Sequence, residues 1–398
     1  MSLRSDQEND QATARRPARS TRLLAAAVLP LLFALGACGS RPETGPPDVA
    51  VPAAGGAVEH PTLVAPTRAR DARPGTYFGG ERSPGLDFAA FTISVPPRHA
   101  SGEIEWPTQE PGDPKTEFVV RDAGYLPREA EFISELNKRF AQKPKGQRKA
   151  LLFVHGYNTM FAEGLFRFAQ IVHDARSSAV PVHFSWASHG KLSDYVYDTN
   201  SATAARDRLE HVLRLMAASN ADQINILAHS MGNWVTVEAI RNIRIKGDAP
   251  GKGKLGTIIL AAPDIDIDVF KSQMRRIGKP AKPYLVVVSA DDRALAASRF
   301  LAGGKARLGD DLNAAELTAL GAVVVDLTAL HGDDATNHDK FAQIADVAPE
   351  LATVLGKGIG RSGGAVADAA EKISGEAPSV LALPAAIVGA PIRILAGR

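Results

Sequence analysis

From residue 150 onward, short apolar runs alternate with longer stretches whose apolar positions recur at helical spacing. Runs at 151–154, 182–184, 224–228, 257–261, 284–288 and 322–326 read as strands. Helices are predicted over about 160–175, 199–218 and 231–244, with shorter ones after the later strands. These strands are apolar on both faces, so both faces must be covered. That predicts an α/β fold: a mostly parallel central sheet with helices on both faces. Ligands in such folds bind at the carboxyl ends of the strands.

The flanks have other rhythms. Residues 88–95 and 117–120 look like strands. Phe132, Ile133, Leu136 and Phe140 lie on one face of a helix predicted over 127–140. Residues 38–75, rich in Pro, Gly and Ala, read as a flexible tether. The α/β domain is then expected over 76–355. Beyond it, 356–398 is a low-complexity tail with an apolar run at 380–389, where Pro384, Gly389 and Pro391 argue against a spanning helix.

The amino terminus changes the picture of the charge. The chain of 398 residues holds 46 basic and 44 acidic side chains. Its first 37 residues hold five arginines and three acids, so the remainder is balanced, 41 against 41. Such neutrality gives little hold on a phosphate backbone, and no nucleic-acid partner is expected. The arginines precede an apolar run at 23–34, the pattern of a secretory signal. That run ends in Leu35-Gly36-Ala37-Cys38, and Cys38 is the single cysteine. Small residues before a cysteine resemble a bacterial lipobox. Residues 1–37 are therefore expected to be removed, Cys38 to carry lipid, and the protein to sit lipid-anchored in the cell envelope, on the outer-membrane or periplasmic side. One cysteine also excludes an intrachain disulfide and a cysteine-based metal site.

Candidate chemistry centres on the run 224–228, which leads straight into His229-Ser230-Met231-Gly232 and then a helix. Strand, sharp turn and helix with a serine at the apex is the setting of a nucleophile elbow. Ala228 replaces the first glycine of G-x-S-x-G with another small residue. The first oxyanion donor is expected to be the Met231 N–H, just after the nucleophile. The second should come from His155-Gly156-Tyr157-Asn158, after the strand at 151–154, through the N–H of Tyr157 or Asn158. A base and an orienting acid should follow Ser230 in the order acid, then histidine. Only His331 and His338 follow it. His338 is preferred because it precedes an amphipathic helix predicted over 341–355. Ser289-Ala290-Asp291-Asp292 resembles the turn that presents the acid in hydrolases, and its spacing selects Asp292; Asp264, after the preceding strand, competes. Asp264, Asp266 and Asp268 lack the glycine and terminal Glu of a calcium loop and read as a helix start. No metal or cofactor is expected. His155 and His229 read as core histidines.

Several of these segments together resemble the bacterial α/β-hydrolase family known as domain of unknown function 900: Phe153-Val154-His155-Gly156-Tyr157-Asn158, Val182-His183-Phe184-Ser185-Trp186, Tyr195-Val196-Tyr197-Asp198, Leu227-Ala228-His229-Ser230-Met231-Gly232-Asn233 and Leu260-Ala261-Ala262-Pro263-Asp264. The resemblance spans about residues 78–350. It implies an α/β-hydrolase fold and a carboxylic-ester hydrolase, and favours Asp292 and His338. It supplies no substrate beyond a small-molecule or lipid ester. An acyltransferase on the same triad, or an inactive hydrolase fold serving as an envelope-binding lipoprotein, are the alternatives. Oligomeric state is not legible.

Overall fold

A computed structural model describes residues 51–248, 253–310, 313–330, 336–343, 381–382 and 393–395. The strands are β1 (Val58–Pro66), β2 (Arg68–Arg70), β3 (Phe78–Arg82), β4 (Ala89–Val95), β5 (Val119–Tyr125), β6 (Lys149–Val154), β7 (Val180–Ser185), β8 (Gln223–His229), β9 (Leu255–Ala261), β10 (Tyr284–Val288), β11 (Ala322–Asp326), β12 (Leu381–Ala382) and β13 (Arg393–Leu395). The helices are α1 (Glu129–Ala141), α2 (Phe161–Asp174), α3 (Tyr195–Ala218), α4 (Met231–Ile245), α5 (Ile267–Ile277), α6 (Arg293–Leu301) and α7 (Ala314–Ala319).

One sheet runs β12-β13-β11-β10-β9-β8-β6-β7-β1-β4-β5, and β2 pairs with β3 in a separate ribbon. Every neighbouring pair from β11 through to β1 is parallel. The outer pairings, β1 with β4, β4 with β5, β11 with β13 and β13 with β12, are antiparallel. The expected mostly parallel sheet is therefore observed.

Strand periodicity divides the core between the two faces. Leu152 and Val154 of β6 point into one cluster with Phe132 of α1, Leu209 of α3, Val235 of α4 and Phe270 of α5. Leu151 and Phe153 point the other way, against Phe168 and Ile171 of α2 and against Phe341. β8 sits between β6 and β9, buried in the middle of the sheet. Its carboxyl end is thus held on both sides.

The predicted tether needs correction. Residues 58–66 form β1, inserted between β7 and β4 with Leu63, Val64 and Ala65 fully buried. Arg68–Arg70 continues as β2. The abundance of Pro and Ala masked a strand that holds Pro61 and ends on Pro66, so the α/β domain begins before residue 76. In the C-terminal tail, Arg393–Leu395 pairs with β11. The helix predicted over 341–355 is represented by a 3-10 turn, Lys340–Gln343, and its remainder lies outside the described residues. So do the export segment, Cys38 and His331.

Candidate active site

Ser230 stands between the end of β8 and the first turn of α4, with φ 51° and ψ −124°. A non-glycine residue there is strained, and such strain persists only where surrounding contacts over-determine it. Those contacts are visible. The Ser230 N–H donates to Ala261 O at 3.0 Å, and the Ser230 carbonyl accepts from Asp264 N at 3.2 Å. The Asn233 amide donates to both Ser230 O (2.9 Å) and Ala261 O (2.8 Å), stapling the turn to β9. Glycine is required on both sides. A Cβ on Gly232 would lie 2.3 Å from His155 O, and one on Gly156 would lie 2.7 Å from the Ser230 Cβ. The helix and the loop after β6 can approach the serine only because both carry hydrogen there.

Asp292 and His338 come together. His338 Nδ1 and Asp292 Oδ2 are 2.7 Å apart, and the carboxylate side chain is wholly buried. The other oxygen, Oδ1, accepts from Leu295 N at 2.9 Å and caps α6. One carboxylate thus anchors a helix and orients an imidazole. Burial by itself lowers the His338 pKa. The Asp292 charge and hydrogen bond, with smaller contributions from Asp339 and Asp264, outweigh it and push the ring up to about 9.

The loop carrying His338 is strapped to the turn carrying Asp292 at several points. Arg293 N donates to Thr336 O at 2.9 Å. Asn337 Nδ2 donates to Asp291 Oδ2 at 3.1 Å. Lys340, only 2% exposed, sends Nζ to Asp291 Oδ1 (2.6 Å) and Ser289 Oγ (3.0 Å). The paired aspartates divide the work: Asp291 holds the loop and Asp292 faces the ring.

Asp264, the competing acid, is engaged elsewhere. Its Oδ1 accepts from Ser298 Oγ at 2.6 Å and pairs with Arg307 Nε at 3.1 Å; its Oδ2 accepts from the Tyr195 hydroxyl at 3.2 Å. Asp266 accepts from Asp268 N and Val269 N and caps α5, the helix start expected from sequence. Among the described residues, no group of three or more His, Cys, Asp or Glu is arranged to hold a metal.

Of the expected oxyanion donors, the Met231 N–H occupies the first position of α4, where the helix itself supplies no acceptor. In the loop after β6, Asn158 has φ 55° and its N–H donates to Asp198 Oδ2 at 3.1 Å. The Asn158 N–H is thus engaged within the fold. His155 and His229 are buried, as expected for core histidines. The ring of His155 stacks on Trp186 and that of His229 on Phe341, with its centroid 4.7 Å from that of His338. Burial, the largest cause, drives both pKa values well down, so both rings are neutral.

Sequence reasoning assigned nothing to Arg68, Asp198, Asn233 or Lys340. Arg68 and Lys340 are charges at positions that fold inward, a signal visible only once β2 and the 336–343 loop are placed. Asn233 directly follows the elbow, and that nearness was the available signal.

A doubly covered parallel sheet, a strained serine at the end of a central strand and a His–Asp pair beyond later strands define an α/β hydrolase. The chain belongs to the family described as "Alpha/beta hydrolase of unknown function (DUF900)", which matches residues 128–357. No curated protein matches it. Among solved structures, esterase B from Lactobacillus rhamnosis is 8% identical with a TM-score of 0.36, covering 89% of this chain and 94% of that one. Fungal esterases from Rhizomucor miehei are 12% identical with a TM-score of 0.32, covering 85% and 92%. Aspergillus fumigatus lipase B is 13% identical with a TM-score of 0.27; the match covers 36% of this chain and 38% of the lipase.

Proposed function

We propose that this α/β hydrolase is a serine hydrolase of carboxylic esters, with Ser230 as nucleophile, His338 as base and Asp292 as the acid that orients it. The observation carrying the reading is the strained φ of 51° at Ser230, held by Ala261, Asp264 and Asn233. A serine serving only as a helix cap needs no such conformation. The His338–Asp292 pair is a second support for it.

In this reading Ser230 Oγ attacks the ester carbonyl carbon and its proton passes to His338 Nε2. The negative charge that grows on the carbonyl oxygen is met by the N–H groups of Met231 and Tyr157. The tetrahedral intermediate collapses, the C–O bond to the alcohol breaks, and His338 returns its proton to the departing oxygen. Water, activated by the same imidazole, then attacks the acyl-enzyme and releases the acid and the free serine. Asp292 keeps the His338 proton on Nδ1, so that Nε2 presents its lone pair. With the ring's pKa pushed up to about 9, the resting imidazole is mostly protonated at pH 7. Activity should therefore climb on the alkaline side of neutrality.

The lone Cys38 behind a signal-like run supports envelope anchoring as a companion proposal. Cys38→Ser should release the protein from the membrane fraction; retention in that fraction would refute lipid attachment. The catalytic reading is tested by ester hydrolysis with Ser230→Ala. A folded mutant with native turnover would refute the proposed nucleophile.

A further inference from the structure

Arg68 is 1% exposed, and among the described residues its hydrogen-bond partners include no carboxylate. Burying a guanidinium is costly, and such a group persists where its donors are all used. Here they converge on the site. Nη2 donates to Thr159 O at 2.7 Å and approaches His155 Nε2 at 3.3 Å. Nη1 donates to Ser188 O (2.7 Å) and Gly79 O (3.0 Å), and Nε to Ser185 Oγ (2.8 Å). The compensating charge is Asp198, also fully buried, which grips the same two loops. It accepts from Asn158 N (3.1 Å), His189 N (3.0 Å) and Ser188 Oγ (2.5 Å). The loop after β6 is therefore clamped, by a cation on the Thr159 carbonyl and an anion on the Asn158 amide.

The contact with His155 carries this hold one residue further. A guanidinium can only donate, so His155 Nε2 must accept from it. The neutral ring's proton then sits on Nδ1, where it donates to Gly156 O at 2.8 Å. Trp186 O also lies 3.1 Å from Nε2. The Nδ1–H tautomer satisfies two of these three contacts and the Nε2–H tautomer only one. Holding the Gly156 carbonyl fixes the Gly156–Tyr157 peptide plane. In a trans peptide the N–H points opposite to the C=O, so the Tyr157 N–H is aimed away from His155. Gly156 itself packs on Ser230.

We propose that Arg68 is a positioning residue for the oxyanion hole: with Asp198 and through His155 it sets the peptide that presents the Tyr157 N–H. It reaches the site from β2, sixty residues before the segment that matches the family. This inference rests on the serine-hydrolase reading.

The test uses the full chain and Arg68→Lys. Lysine keeps the charge but offers three donors from one atom, which cannot serve partners arranged around a planar fork. The readouts are turnover of a p-nitrophenyl ester per active site, with sites counted by end-point fluorophosphonate labelling, and the inhibition constant of a phenylboronic acid. Turnover per site should fall about 10- to 100-fold, as expected of a misplaced catalytic group. KM should stay within about threefold, and boronate binding should weaken in step with the loss in kcat/KM. Native turnover per site and native boronate affinity, with only a lowered melting temperature, would leave Arg68 a structural residue and overturn the proposal. Ser188→Ala removes the hydroxyl that accepts from Thr159 N at 3.0 Å and bonds Asp198. It is read in the same way should Arg68→Lys not fold, with a smaller loss of about tenfold. A native protein that neither labels nor hydrolyses esters overturns the hydrolase reading, and this inference with it. A native protein that labels, beside an unimpaired folded variant, overturns this inference alone.

Discussion

Asp292→Asn isolates what the buried carboxylate does. The replacement keeps the size of the side chain, and its oxygen can still accept from Leu295 N to cap α6. It removes the charge from beside His338. The ring's rise from 6.5 to about 9 corresponds to about 3 kcal/mol in favour of the imidazolium, and Asp292 is its chief source. Without the carboxylate, burial should carry the pKa below 6.5. The amide would also donate to Nδ1, placing the imidazole proton on Nε2, where it cannot accept from Ser230. Loss of turnover of about 10⁴-fold is expected from that tautomer. The assay is kcat/KM for a p-nitrophenyl ester from pH 5 to 10, with the His338 ring followed by NMR titration. The native enzyme should gain activity with a midpoint near pH 9, while the mutant's residual activity should rise with a midpoint below 6.5. Stability carries the same sign. A histidine whose folded pKa is raised stabilises fully below about pH 6.5 and loses that contribution as pH passes 9. The stability gap between native and mutant protein should therefore be widest in acid and narrow above pH 9. A mutant with the native midpoint and native turnover would refute the assignment of Asp292.

Other expectations follow from the same geometry. Gly232→Ala drives a methyl into His155 O, and chemical denaturation should record a loss of at least about 1–3 kcal/mol. Lys340→Met frees the 336–343 loop from Asp291 and Ser289; turnover should fall while the KM holds, and unchanged turnover would show that the strap is dispensable. Asp264→Asn leaves the His338–Asp292 pair intact but weakens the Arg307 ion pair, so urea unfolding should move more than kcat does.

The sheet was legible because its strands are apolar on both faces, a pattern that survives without any knowledge of pairing. Ser230, Asp292 and His338 stood out as candidates because each follows a strand, where an α/β fold presents its chemistry, and the structure brings the last two together. What stayed hidden came from pairing at a distance. β1 carries Pro61 in its interior and ends on Pro66, so its composition reads as linker until β7 and β4 are seen on either side of it. Arg68 looks like any surface arginine until β2 turns it under the loops at 155–160 and 185–189. The Asp198 carboxylate accepting from the Asn158 amide, forty residues away, could not be seen from the sequence either. The Asp292-over-Asp264 preference rested on the spacing of the turn and on the family resemblance; a buried contact with His338 is a physical argument that neither could supply.

Active-site labelling tests Ser230 as the nucleophile. Native protein is treated with a fluorophosphonate, digested, and its modified peptide sequenced by mass spectrometry, beside Ser230→Ala. One phosphonyl group per chain is expected, on Ser230, acquired faster as pH rises toward 9, and none on the mutant. A folded native protein that takes up no label, or a Ser230→Ala chain that labels as well as native, would contradict it.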